Sequence, residues 1–140
     1  MKLTDRKDLR FIKGLLILTP PVEQSKKRRQ VYLFLCALCA VLGWFLSFTY
    51  RPYIYAHDIN DWHLADTIGN IVAVPAAAFI FYAMQKTIRH DKLAILVMDF
   101  LVWCLYEAVF SVTFDWWDIL ATLIMCFVTY PILRVVEKKL

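Results

Sequence analysis

Four long apolar blocks constrain this chain more than any other feature. Residues 31–50 (VYLFLCALCAVLGWFLSFTY) carry no charge, and residues 66–85 (DTIGNIVAVPAAAFIFYAMQ) are charged only at Asp66. Residues 93–114 contain Asp99 and Glu107, and residues 116–133 (WWDILATLIMCFVTYPIL) carry Asp118 near their start. Roughly 20 helical residues cross a hydrocarbon core, and each block approaches or reaches that length. The apolar residues run continuously instead of alternating, which favours helices over a membrane barrel. The expected fold is therefore an all-α, polytopic membrane protein with a four-transmembrane-helix bundle. The chain is 61% hydrophobic, where a soluble domain is nearer half, so little remains for a soluble domain.

Charge orients the bundle. Fifteen of the sixteen Lys and Arg residues fall before the first block, between the second and third, or after the fourth, and only Arg51 lies on the other side. Cytoplasmic flanks carry the excess of Lys and Arg, so both termini are expected in the cytoplasm of a bacterial inner (plasma) membrane. The net charge of +4 follows from this skirt, so no nucleic-acid partner is inferred. No cleavable signal peptide is expected, because the first apolar block is of full spanning length.

Residues 1–30 form a basic amphipathic segment, 31–133 the membrane domain and 134–140 a cytoplasmic tail. Thr4 and Asp5 are suited to start a short helix, and Pro20–Pro21 to stop it. That helix would lie on the inner leaflet, or dock a cytoplasmic protein partner. Lys26, Lys27, Arg28 and Arg29 form a membrane-surface cluster that attracts anionic lipids. Cys36 and Cys39 share one face of a membrane helix, where a redox or zinc role lacks an exposed thiolate or further ligands. No metal, cofactor or disulfide is expected. Pro75 lies inside the second helix, where it removes one backbone bond and is expected to kink it.

The acids carry the chemistry. A carboxyl group in a membrane helix costs several kcal/mol unless paired, protonated or hydrated, so Glu107 is a functional candidate. A short bend at Phe114–Asp115 sets Glu107 and Thr122 at similar depth on neighbouring helices. Asp118 and Thr122 share a face at i, i+4, with Asp115 and Asp118 at the helix start, where Asp118 is suited to capping. Asp66 and Asn70 share a face of the second helix. These six residues are the candidate ligand-binding set, opening outward. Glu107 would have a raised pKa, bind a cation, meet Arg51, or accept bonds from Asn70, Thr122 or a ligand. Asp99 reads as a structural polar contact between helices. Asp58, Asp61, His57 and His63 read as solvated residues of an outer loop spanning 51–66, with Tyr53, Tyr55 and Trp62 at the interface.

The run from Glu107 through FDWWDILAT, with Asp115, Asp118 and Ala121, resembles the VanZ-like family of small bacterial membrane proteins. The earlier DWHLAD (Asp61, His63, Asp66) loosely resembles the start of the preceding helix in that family. The similarity covers about residues 60–133. Phe110, Thr122 and Met125 depart from its usual glutamine, asparagine and glycine, and the arginine that often precedes the aspartates is missing. The resemblance implies a non-enzymatic protein that binds a cell-envelope lipid or precursor, or modulates sensitivity to envelope antibiotics. Two alternatives stay open. One is a small membrane subunit, assembly or immunity-type protein acting through protein contacts. The other is a metal-assisted enzyme or ion carrier using Asp115 and Asp118, although no catalytic residue is assigned.

Overall fold

A computed structural model describes residues 18–110 and 115–140; of the short helix expected to start at Thr4 and stop at Pro20–Pro21, the part before Leu18 lies outside the described residues, and from Leu18 on the chain is strand instead. The described residues are helical apart from one small sheet and short connections. Strand β1 (Leu18–Glu23) precedes helix α1 (Lys26–Phe45), which runs through a π-helical turn (Leu46–Tyr50) into α2 (Arg51–Ala56). Helix α3 (Leu64–Met84), strand β2 (Thr87–His90), helix α4 (Lys92–Val109) and helix α5 (Trp116–Lys139) follow.

Three helical stretches are long and apolar enough to cross a membrane: Lys26–Ala56, Leu64–Met84 and Trp116–Lys139. Their outer faces support a membrane setting. Phe34, Val41, Trp44 and Phe48 on the first stretch, and Trp116 and Phe127 on the last, are each more than three-fifths exposed. In water such a surface would drive aggregation, whereas in lipid it is the solvated face. Helix α4 is an exception in composition, because Lys92, Asp99 and Glu107 interrupt its eighteen residues.

The first helical stretch extends beyond the expected block at both ends. Ser25 caps its start by accepting a hydrogen bond from the Arg28 N–H at 3.1 Å. The Lys26–Arg29 cluster is thus the first helical turn, not a flank before it. At the far end Pro52 has no N–H for the carbonyl one turn back, and the backbone widens into the π turn just before it. The expected outer loop consequently begins only after Ala56. The thirty-one residues span about 46 Å, longer than a hydrocarbon core of about 30 Å.

The second departure from sequence expectation is the sheet. The basic connection between α3 and α4 is not a simple loop. Its residues Thr87–His90 pair antiparallel with β1, aligning Val22 with Ile88 and Glu23 with Thr87. Pro20 and Pro21 lie in β1, where the register is irregular between Leu18 and Val22. A two-stranded sheet has an open edge on each strand, which tolerates residues without an N–H. Pairing satisfies backbone groups that two adjacent connections would otherwise leave unpaired at the helix ends.

Helix α3 is the centre of the fold. It packs most extensively on α1, then on α5, and only loosely on α4, which lies mainly against α5. The buried core sits at the end of the molecule that bears the sheet and the basic residues. Tyr32 stacks on Tyr82 at 5.3 Å and on Phe79 at 6.3 Å between ring centroids, with Leu96, Leu133 and Val136 closing the cluster. The C-terminus of α3 is capped there by other elements. Arg29 Nε donates to the Ala83 carbonyl at 2.9 Å. The Gln24 amide nitrogen, oriented toward α3, reaches the carbonyls of Gln85 at 2.6 Å and Tyr82 at 2.9 Å. Lys92 and Glu137 form an ion pair between α4 and α5. Orphan carbonyls at a buried helix end need such partners.

Near the end of α1, Gly43 lets α3 approach closely. A Cβ there would lie 2.7 Å from Val72 Cγ2, whereas one at Gly69 would meet nothing within 4 Å. Valine is stiff at χ1 and cannot swing aside. Gly43→Ala should therefore lower stability in detergent by about 1–3 kcal/mol, with Val72→Ala in the same chain restoring part of the loss. Gly69→Ala should be neutral or stabilising by up to about 1 kcal/mol, from helix propensity alone. Thermal unfolding followed by circular dichroism measures all three variants.

Candidate functional site

The end of the bundle opposite the sheet is built differently. Here α2 turns into a loop, 57–63, that returns to α3, and α5 begins alongside. Three non-glycine residues of this loop adopt left-handed backbone: Asp58 (φ 50°), Trp62 (φ 58°) and His63 (φ 64°). Aspartate and histidine tolerate that region, but a bulky tryptophan rarely does. Such conformations cost on the order of 1–3 kcal/mol each and cluster at functional sites.

Hydrogen bonds from neighbouring elements hold the loop. Asp61 accepts from the Ala65 N–H at 2.7 Å, so its carboxylate caps α3, and it also accepts from the Tyr50 hydroxyl at 3.2 Å. Asp66, in the first turn of α3, accepts from the Tyr55 hydroxyl on α2 and pairs with His63 Nδ1 at 3.2 Å. Arg51 Nε donates to the Tyr55 oxygen at 3.2 Å, completing a chain from Arg51 through Tyr55 to Asp66 and His63. The His63 ring in turn stacks on Trp117 of α5, with centroids 5.3 Å apart. Asp61 and His63 are therefore not free loop residues, as the sequence suggested. His57 behaves separately, its Nδ1 lying 2.9 Å from the Tyr53 carbonyl.

Near the end of α4, Glu107 is only 6% exposed although it is a carboxylate. Its Oε2 is buried and has no hydrogen-bond partner. The donors expected for it are committed elsewhere. The Thr122 hydroxyl, fully buried, donates to the Asp118 carbonyl one turn back at 2.7 Å. Arg51 is engaged with Tyr55. Asn70 is buried on α3, and no hydrogen bond joins it to Glu107. Asp118 brings the two halves into one electrostatic unit. It lies within range of Glu107, Asp115 and Asp66, with Arg51 as the opposing cation. Capping falls to Asp115, whose backbone is extended and whose Oδ1 accepts from the Trp117 N–H at 2.9 Å. Asp118 sits one turn further in, which leaves its carboxylate free of the role expected of it. The Asp115 bond also removes one oxygen from any paired use with Asp118.

Two openings flank these acids. A cavity of about 370 Å³ lies between α3 and α5, lined by Trp62, Thr67, Ile71, Trp117 and Ala121 with Asp61 at its edge. A more polar one of about 260 Å³ lies under the loop and takes in Asp58, Asn60, Asp61, His63 and Asp66. Of the six residues singled out in sequence, only Asp66 lines either opening. Glu107, Asp118 and Thr122 line neither opening. Sequence reasoning passed over Asp61, His63 and the Tyr50 and Tyr55 hydroxyls. The signal for Asp61 was present, since an aspartate just before a helical run is a capping candidate. The partners of His63 and Tyr55 arise from packing and left no local mark.

Among the described residues, no three His, Cys, Asp or Glu side chains converge as a metal site. The four cysteines are free thiols, partly buried in three different helices. What the arrangement can do is bind donors. Asp118 with Glu107, Asp115 and Asp66 in electrostatic range, one Glu107 oxygen unsatisfied, and two tryptophans on the wall of the nearby cavity suit a ligand rich in amine or hydroxyl groups. Comparison of the chain with known protein families, with characterised proteins and with solved structures finds no match.

Proposed function

We propose that this protein is a four-span, VanZ-like protein of the bacterial inner membrane that binds the headgroup of a cell-envelope lipid or lipid-linked precursor at its outward face. Through that binding it would modulate sensitivity to envelope antibiotics. The observation that carries this reading is the buried, unpartnered Oε2 of Glu107 within electrostatic range of Asp118. A buried charge without a partner is expensive, and a ligand donor supplies what the helices do not. Trp62, four-fifths exposed at the cavity rim, offers a flat face for a sugar or acyl–headgroup junction.

The fourth span is supported by packing. Helix α4 lies along α5, with Lys92 paired to Glu137 at one end and Cys126 Sγ 3.6 Å from the Leu96 carbonyl further along. If α5 crosses the bilayer, α4 crosses beside it. Its outer face (Val97, Leu101, Leu105, Val109) is apolar and exposed, as a lipid-facing surface requires. The three charged residues lower its hydropathy without removing it from the bundle. The distribution of Lys and Arg then sets both termini inside.

Two experiments test this reading. In a background without the four native cysteines, Asn60→Cys should react with a membrane-impermeant maleimide on intact cells, and Lys139→Cys only after permeabilisation. Equal labelling of both would overturn the topology. Native mass spectrometry from mild detergent should show a lipid adduct on the wild type. Glu107→Gln combined with Asp118→Asn should weaken it about tenfold or more, the expected effect of losing a charged hydrogen bond. An adduct retained equally by both proteins would make the acids packing groups.

A further inference from the structure

A second site lies away from these acids, in the loosest seam of the bundle. Helices α3 and α4 touch only lightly, and between them is a cleft of about 440 Å³. Its walls are Ala77, Ala78 and Phe81 on α3 and Ala94, Met98 and Val102 on α4. Asp99 also lines it, and is the single acid there, with His90 toward the sheet end. Asp99 Oδ2 is buried and has no hydrogen-bond partner.

The Trp103 side chain, one turn on, hydrogen-bonds the Asp99 carboxyl, but Oδ2 keeps no partner and no cation among the described residues pairs with it. Cys126 is within electrostatic range of Asp99, but its thiol lies against the Leu96 carbonyl instead. Lys92, the nearest lysine along α4, is paired with Glu137. It starts the helix seven residues earlier, about 10 Å away along the axis. A second copy of the chain offers Lys and Arg near its helix ends, in the connections and at Arg51, and Arg134, the cation furthest inside α5, lies over its own Tyr130 ring at 5.5 Å.

The occupant is therefore a cation from outside the chain, and the dimensions say what kind. From Ala94 to Val102 the cleft runs about 12 Å along α4. That is less than half the length of a spanning helix of about 30 Å, while its volume lies in the range of small-ligand pockets. All but two of the lining residues are apolar, so the body of the ligand must be apolar as well. Phe81 adds an aromatic ring to the wall of the cleft, which favours a cation further.

We propose that the α3–α4 cleft binds a lipophilic ammonium compound, a single amine on an apolar body, by ion pairing with Asp99. The proposal rests on α4 lying in the bilayer, which the cysteine-labelling experiment above tests separately. The ligand would enter sideways from lipid and place its amine about 10 Å in from the sheet end of α4.

The test uses the full chain in dodecyl maltoside, with dodecylammonium as probe and dodecanol as its uncharged control. Dodecylammonium should raise the unfolding midpoint saturably, by about 4 °C, and dodecanol should not. Asp99→Asn should abolish the difference between the probes. Ala77→Leu, which fills the cleft and leaves the acid in place, should abolish it too. Glu107→Gln with Asp118→Asn should retain it, separating this site from the outward one. Equal responses to the two probes, or an ammonium response that survives both Asp99→Asn and Ala77→Leu, would overturn the proposal. So would an absence of any ammonium effect on the wild type, as expected if a partner helix is the true occupant.

Discussion

Hydrocarbon supplies no hydrogen bonds, so each polar group on these helices needs a partner from the protein, from another molecule, or from water drawn inward. That constraint separates the two ends of the molecule. At the sheet end the requirement is met within the chain. Arg29 and Gln24 take the last carbonyls of α3, Lys92 takes Glu137, and β1 pairs with β2. The aromatic cluster of Tyr32, Phe79 and Tyr82 fills the space between them. At the other end the accounts do not close, and Glu107 keeps an unpaired oxygen in a buried setting.

This asymmetry gives the molecule a closed base and an open face. Helix α3 belongs to both halves. Its lower turns lie in the core, and its first turns carry Thr67, Asn70 and the Asp66 network. A ligand at the open end would act on α3 and α5 together, because His63 of the loop stacks on Trp117. The left-handed backbone at Asp58, Trp62 and His63 fits that role, since strain is tolerated where the surroundings fix it and where binding benefits from a preset shape. The α3–α4 seam is the other weak line of the bundle, and Asp99 lies in it for the same underlying reason as Glu107. Both acids sit on the one helix that carries charge through its middle.

Much of this was legible from the chain. Long uncharged runs report burial in lipid, and they located the helices well because length and apolarity are local properties. They located helix ends less well. Hydropathy stops at Arg51 and begins at Val31, but a helix continues wherever backbone bonds and caps allow, so Ser25 and the π turn before Pro52 set the true limits. The sheet was not legible, because β1 and β2 are some sixty residues apart and pair only once α1 and α3 lie side by side. Glu107 stood out because a carboxylate in an apolar run is conspicuous by itself. Asp61 and His63 did not, since in a polar loop such residues are ordinary, and only the fold brings Tyr50 and Trp117 to them. Asp118 was read as a cap because it begins a helix in sequence, yet Asp115 holds the extended backbone that capping needs.

The central claim is that Glu107 takes its missing partner from a headgroup. The most direct measurement is the infrared difference spectrum of the protein in phosphatidylcholine nanodiscs, before and after addition of a total bacterial envelope lipid extract. The account predicts a change in a carboxyl band that is absent from Glu107→Gln and unaffected by Asp99→Asn. A spectrum in which the extract leaves every carboxyl band unmoved, or moves one that Glu107→Gln retains, would contradict it.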